Sequence, residues 1–275
     1  RGDLPIDARA DAPGQHLHRA VVEHLATSPL VPIESGDLAP VANIAVPETF
    51  SHETIGAELR GLLSPSATSG GRELPATRLC AEPFTSILID LGAKPLTPAE
   101  TVGLLAGAPP DLTRLEPHAS GKLLVDPVLR VLQTMWENAD KSARDELEQA
   151  VRSVRLFPVA LEADGTVERI AVGDTETFFP PRAIHGAIPL EGLRFMLQDL
   201  CWGSLTPRER TDVLRSQMPA WIALFQIREF KFPDVMRVSV LPALALDADP
   251  AMRAGLENWS TVTAVCQLAG ATPSP

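Results

Sequence analysis

Twenty-six prolines fall among 275 residues, roughly double the usual share of about 5%. A proline offers no N–H and clashes with the preceding helical turn, so long uninterrupted helices and coiled coils are disfavoured. The chain must be built from many short elements, with proline at strand ends, sheet edges and first helical turns. Those elements can still share a core. Hydrophobic residues make up 45% of the chain, and its length allows about two ordinary domains. With 21% charged residues, it falls outside the low-hydrophobicity, high-charge class that stays disordered.

The formal charge of −11 argues against a general nucleic-acid binder, which needs Lys and Arg to neutralise phosphates, and against an anionic membrane surface. No apolar stretch approaches the ~20 residues that span a bilayer. The N-terminus, RGDLPIDARADAPGQ, lacks the apolar core of a signal peptide. A cytoplasmic protein is expected, with no nucleic-acid and no membrane partner. Because the first residue is Arg1 rather than Met, a fragment of a larger protein is expected. Cys80, Cys201 and Cys266 have no CxxC spacing and read as small buried hydrophobes.

Two signals occur twice, in the same order. The first is a helix, an apolar-Pro strand, a turn and a second strand ending in Pro. Leu17 to Ala26 lead into Pro29-Leu30-Val31-Pro32, a turn at Ser35-Gly36, and Ile44-Ala45-Val46-Pro47. Leu147 to Val154 lead into Leu156-Phe157-Pro158, a turn at Asp164-Gly165, and Thr177-Phe178-Phe179-Pro180. Asp-Gly supplies the positive φ of a tight hairpin turn, and LFPVAL and VERIAV have strand character, so each copy is expected to form an antiparallel hairpin.

The second signal runs Asp90-Leu91, four residues, Leu96-Thr97-Pro98, one residue, Glu100, and recurs at identical spacing as Asp199-Leu200, Leu205-Thr206-Pro207 and Glu209. Thr before Pro, with Glu three positions after the Thr, is a capping box that starts a helix. The preceding runs have helical spacing, with Phe84, Ile87, Leu88 and Leu91 on one face and Leu193, Met196, Leu197 and Leu200 on the other copy's. Ser64 to Arg72 reads as a loop and Gly107 to Leu124 as a connector. Asp126 to Val154 is helical with a break at Asn138 to Ser142. Met218 to Phe230 and Ala251 to Leu268 read as helices separated by a strand-like Val235 to Leu244.

Candidate chemistry is sparse. His52-Glu53 begins like a zincin helix, but Gly56 stands where the second histidine must be. His18 and His24 are six residues apart on a helix and face different ways. Gly121-Lys122 is followed by Leu123, where a phosphate-binding loop requires Ser or Thr. Asp164 and Asp174 flank the second hairpin, where a paired-carboxylate reading competes with an ordinary Asp-Gly turn, which is favoured. Arg152, Arg155, Arg169 and Arg182 read as solvated surface charges. Trp136, Trp202, Trp221 and Trp259 read as core or helix-seam residues. No catalytic, cofactor-binding or metal-binding residue is nominated; the residues singled out are the structural motif residues Asp90, Thr97, Pro98, Glu100, Asp164, Gly165, Asp199, Thr206, Pro207 and Glu209.

Leu156-Phe157-Pro158, Asp164-Gly165 and Phe179-Pro180, together with Leu88-Ile89-Asp90-Leu91-Gly92-Ala93 and Leu96-Thr97-Pro98, resemble the repeated regions downstream of the ATPase module in sacsin-like proteins. The resemblance implies a chaperone-like or regulatory role. Trp136-Glu137-Asn138-Ala139-Asp140 is similar to that family's Asn-containing ATP-site helix, but Lys141 stands in place of an acidic residue and no DxGxG segment follows. ATP binding is therefore not carried over, and no cofactor is expected.

The reading is an α+β, helix-rich chain of two tandem helix-hairpin-helix-helix units with short antiparallel β-hairpins. A flexible N-terminal tail is expected at 1–16, a first unit at 17–125, a second unit with C-terminal helices at 126–270, and a tail at 271–275. Its expected role is a non-catalytic scaffold that contacts protein partners or other domains of a larger chaperone-type ATPase protein. The alternatives are a small-ligand-binding regulatory module, with its site at the junction of the units, or a hydrolase with a dispersed site.

Overall fold

The computed structural model describes residues 13–47, 55–109, 114–117, 124–173, 175–180, 193–201 and 206–245, together with isolated positions from 250 onward. The chain is an α+β protein of short helices and short strands. It divides into two units, Arg1–Leu112 and Thr113–Pro275.

In the first unit, α1 (Pro13–Thr27) leads into β1 (Pro29–Pro32) and β2 (Leu38–Pro40), an antiparallel hairpin. Gly36 turns the chain at φ +92°, a conformation that a residue with a Cβ rarely adopts. The Ile33 N–H donates to the Asp37 carbonyl at 3.0 Å, closing the turn. Val31 lies opposite Ala39, and both are buried. The prolines sit at strand ends, where a missing N–H costs little.

The second arm of this hairpin is thus Leu38–Pro40, not the expected Ile44–Pro47. A tight turn pairs the residues immediately beyond it, and a 3-10 turn at Val41–Asn43 then redirects the chain. The apolar-Pro run becomes β3 (Ala45–Pro47), which pairs in parallel with β6 (Lys94–Leu96). Between them lie α2 (Ile55–Leu62), β4 (Thr68–Ser69), β5 (Arg72–Glu73), a 3-10 turn at Thr77–Leu79 and α3 (Phe84–Asp90). The expected Ser/Gly loop therefore contains a hairpin, β4 against β5, turned by Gly70-Gly71. Helix α4 (Pro98–Ala106) closes the described part of the unit. Ile44, Val46, Leu59, Leu74, Leu96, Val102 and Leu105 are buried in it.

The expected apolar face of α3 is rotated. Thr85 and Leu88 are buried, whereas Phe84 and Ile87 are 46% and 48% exposed. A seven-residue helix buries only a narrow stripe, and here the stripe facing β3 is the Thr85–Leu88 one.

The second unit opens with β7 (Glu116–Pro117) paired antiparallel to β8 (Leu124–Val125). Two capped helices follow, α5 (Pro127–Asn138) and α6 (Lys141–Ser153), broken at Ala139-Asp140 as the spacing predicts. Val128, Val131, Leu132 and Met135 form the buried stripe of α5, at the i, i+3, i+4, i+7 positions of an amphipathic helix.

Strands β9 (Phe157–Leu161) and β10 (Val167–Ile170) make the second hairpin, turned at Asp164-Gly165 with Gly165 at φ +87°. Pro158 sits at its bulge, where a lost ladder bond is tolerated. Again the later apolar-Pro run is not a hairpin arm. It forms β11 (Thr177–Phe179), flanked in parallel by β12 (Arg194–Phe195) and β13 (Arg228–Glu229).

Three further expectations fail in this unit. The run containing Leu193, Met196 and Leu197 is not helical, because β11 recruits its backbone: the Met196 N–H donates to the Phe178 carbonyl at 3.0 Å. Only α7 (Gln198–Cys201) is helix there. Helix α8 (Pro207–Phe225) runs through Pro219 and stops at Gln226, whose φ of +53° is left-handed, so Met218 to Phe230 is not one helix. The strand-like Val235 to Leu244 is helical, built from α9 (Phe232–Val235), a π-helical turn at Met236–Val240 and α10 (Leu241–Leu244). Asp234 accepts from the Lys231 N–H at 3.0 Å and starts that segment, and its valines reach Phe178 and Phe230 without a sheet partner. The core of the unit also holds Phe157 edge-on to Phe225, with ring centroids 5.3 Å apart. Helix α8 packs against α5 and α6.

Candidate functional site

Most of the residues singled out by sequence serve local structure. Thr97 Oγ1 accepts from the Glu100 N–H at 3.2 Å while Glu100 accepts from the Thr97 N–H at 2.9 Å, a complete capping box with Pro98 in the first turn. Thr206 and Glu209 repeat this at 3.4 and 2.8 Å, with Pro207 in the first turn. The Lys94 ammonium, 2.7 Å from Glu100, and the Thr97 N–H hold the Glu100 carboxyl below its ordinary range. Asp90 is the last residue of α3 and Asp199 the second of α7; both are exposed. Asp164 accepts from the N–H and hydroxyl of Thr166 at 2.9 and 2.7 Å, and these bonds hold its carboxyl low. It pins the Gly165 turn.

Other candidates resolve similarly. Asn138 donates to the Thr134 carbonyl and Asp140 caps α6, so the stretch similar to an ATP-site helix forms the α5–α6 corner. Cys80 and Cys201 are buried, and burial pushes the Cys80 thiol up to about 12; Cys266 is half-buried. Trp136 donates to Glu148 at 2.9 Å beneath the Arg144 guanidinium. His24 lies in the last turn of α1, beside Ser28. Among the described residues, no group of three or more His, Cys, Asp or Glu could hold a metal ion, and no helix is long and apolar enough to cross a membrane. The side chains of His16 and His18, together with His52-Glu53, Gly121-Lys122, Asp174, Arg182, Trp202, Leu205 and Trp259, lie outside the described residues, as do residues 1–12, the expected tail at 271–275 and most of the expected Ala251–Leu268 helix; residues 13–16 of the expected N-terminal tail are instead the first turn of α1, which Pro13 can open because it needs no N–H partner there.

Arg152 and Arg169 are not the solvated charges expected. Arg152 donates to the Ala223 carbonyl at 3.2 Å near the end of α8 and faces Glu148. Arg169, with a side chain only 10% exposed, reaches 43 residues back to Asp126 at 2.8 Å.

Asp126 of that pair lines a concavity of the second unit. A cleft of about 350 Å³ lies between the β7–β8 hairpin and helices α5, α7 and α8. Leu129 and Gln133 present one face of α5 at i, i+4 spacing, and Gln217 and Trp221 present one face of α8 in the same way. Pro117, Leu124, Val125 and Leu200 make the remaining lining mostly apolar, and Glu116 faces Arg130 at 3.6 Å.

Asp126 itself caps α5. Its Oδ1 accepts from the Val128 N–H at 2.9 Å, the Leu129 N–H at 3.3 Å and Arg169. Its Oδ2 is buried without a partner, as is the Nε1–H of Trp221. A buried polar group left unpaired costs about 1–3 kcal/mol; Arg169 Nε is a third such atom on these residues. The Asp126-Pro127 step announces the helix cap in sequence. Nothing in sequence announces the distant Arg169, or that Trp221 lines the same cleft.

No family model matches the chain, and the curated proteins and solved structures compared with it contain no significant match.

Proposed function

We propose that the chain is a non-catalytic protein-binding scaffold of the cytoplasm, a region of a larger sacsin-like, chaperone-type ATPase protein in which one structural plan is used twice. The plan runs helix, hairpin, apolar-Pro strand in parallel pairing, then a helix entered through a Thr-Pro-x-Glu box. The first unit carries it as α1, β1–β2, β3 beside β6, and α4. The second carries it as α6, β9–β10, β11 beside β12, and α8. Thr97, Glu100, Asp164, Thr206 and Glu209 are spent on caps and a turn, which favours a structural over a catalytic use.

The observation that carries the reading is the exposed apolar face of α3. Phe84 and Ile87 lie one helical turn apart and about half exposed, with Ile89 37% exposed nearby. Such a face suits an apolar segment of a partly unfolded polypeptide.

The test is light scattering from a thermally unfolded client protein with the intact chain added and no nucleotide. Suppression of aggregation by the wild type, lost in Phe84→Glu/Ile87→Glu, is expected. No suppression at large molar excess overturns the proposal, as does full suppression by the double variant.

A further inference from the structure

We infer that the cleft of the second unit binds a free α-amino acid with a large apolar side chain, its zwitterionic head group held by Glu116 and Arg130 at the rim. A cleft of this size with a mostly apolar lining and a few polar groups is the usual form of a small-molecule site. Pro117, Val125, Leu129, Leu200 and Trp221 supply the apolar part, which suits a hydrocarbon or aromatic body. The lining charges that a ligand can reach are the two at the rim. Asp126, the other charged lining residue, has a side chain with 0% exposure and is committed to Arg169 and the first N–H groups of α5. Glu116 and Arg130 have side chains 58% and 39% exposed and stand 3.6 Å apart. That separation exceeds the about 2.7–2.9 Å of a charge-assisted hydrogen bond, and an exposed pair of this kind contributes little stability, so its members can take up other partners at small cost.

The head group follows from that pair. An amine answers Glu116 alone and sets a like charge beside Arg130; a carboxylate answers Arg130 alone and sets a like charge beside Glu116. An α-amino acid carries both groups on one carbon, with its ammonium nitrogen and a carboxylate oxygen ~3 Å apart by standard bond lengths. That spacing matches the 3.6 Å between Arg130 Nη2 and Glu116 Oε2, so the ammonium donates to Glu116 while Arg130 donates to the carboxylate, and the four charges alternate in sign around a closed ring. The side chain of the ligand then enters the apolar cleft. The site lies wholly on residues of the second unit, rather than at the junction of the units expected from sequence. It is independent of the scaffold reading, because Phe84 and Ile87 belong to the first unit.

The experiment titrates the intact chain with L-phenylalanine, and with phenethylamine and hydrocinnamate, which keep the phenyl body and lose the carboxylate or the ammonium. The readout is the indole N–H resonance of Trp221, identified by its absence in Trp221→Phe. L-phenylalanine is expected to shift that resonance and to bind about tenfold more tightly than either analogue, the worth of one partly exposed charge-assisted hydrogen bond. Glycine, the head group without an apolar body, is expected to leave it fixed. Arg130→Gln is expected to erase the preference over phenethylamine, and Glu116→Gln the preference over hydrocinnamate. If the resonance stays fixed at millimolar L-phenylalanine, if glycine or either analogue binds as tightly, or if both preferences survive the substitutions, the assignment is overturned. The ligand series decides the question on wild-type protein even where a variant fails to fold.

Discussion

The guanidinium of Arg60 donates from Nε to the carbonyl of Pro75 at 3.2 Å, tying α2 to a segment fifteen residues further on. Its remaining nitrogens donate to the carbonyls of Leu63, Ser64 and Pro65, so this buried cation satisfies four backbone acceptors around the end of the helix. A hydrogen bond to a charged group contributes about 1.5–3 kcal/mol, and orphaned carbonyls add a desolvation cost. Arg60→Met is therefore expected to destabilise the first unit by about 3 kcal/mol or more in urea unfolding. Arg60→Lys should recover only part of that, since an ammonium cannot reproduce the planar fork. An unchanged unfolding midpoint in Arg60→Met contradicts this account.

The two capping boxes make a quieter prediction. Thr97→Ala and Thr206→Ala should each lower stability by about 0.5–2 kcal/mol, and Thr→Ser at either site should restore most of it, because the serine hydroxyl can make the same bond. Hydrogen exchange at the first turns of α4 and α8 reads each cap separately.

Glycines give opposite signs in different settings. At Gly165 the φ of +87° makes Gly165→Ala strained, with an expected loss of about 1–3 kcal/mol. Gly103 lies inside α4, and a Cβ there meets nothing within 4 Å. Gly103→Ala should stabilise by about 0.5–1 kcal/mol. Thermal unfolding of the two variants should move in opposite directions.

An acid-dependent element joins β11 to its neighbours. Glu176, just before β11, accepts from Arg237 and, at 3.3 Å, from Arg228, and the hydrogen bond from Arg237 holds its carboxyl below the ordinary glutamate range. Between the folded and unfolded pKa values the unfolded chain carries a proton that the folded chain lacks, so stability rises with pH in that window. The contribution is complete above the ordinary glutamate pKa of about 4.3 and is lost as pH falls through the lower folded value. Urea midpoints of Glu176→Gln should show a shallower acid decline than wild type. Identical declines remove Glu176 from the account.

A final expectation concerns nucleotide. Calorimetric titration with magnesium-ATP should give no micromolar binding to the isolated chain. Asn138 and Asp140, the residues most similar to an ATP site, are occupied in the α5–α6 corner.

Local chemistry was legible in the sequence wherever a few adjacent residues decide the outcome. Thr97 and Thr206 cap helices because the bonded partner is three residues away, and Gly36 and Gly165 turn hairpins because φ is a property of one residue. Pairing across distance was not legible. Periodicity alone put Leu193 to Leu197 in a helix, whereas β11 draws Arg194 and Phe195 into a sheet. Whether Phe84 or Thr85 faces inward depends on what packs against α3, which spacing does not encode. The cleft was illegible for the same reason, since Asp126 and Trp221 come from α5's cap and α8, far apart in the chain.

Strand β11 holds only three residues, yet both of its neighbours arrive later in the chain, with Phe178 facing Arg228, a residue fifty positions further on. Closing so long a loop costs entropy before any pairing compensates it, and contacts of high sequence separation form slowly. During synthesis the ribosome releases Phe178 well before Arg228, so for that interval β11 has one edge without its permanent neighbour. The second unit should therefore complete its sheet only after the α8 segment has cleared the exit tunnel, and chains truncated between α8 and β13 should be protease-sensitive around Thr177–Phe179.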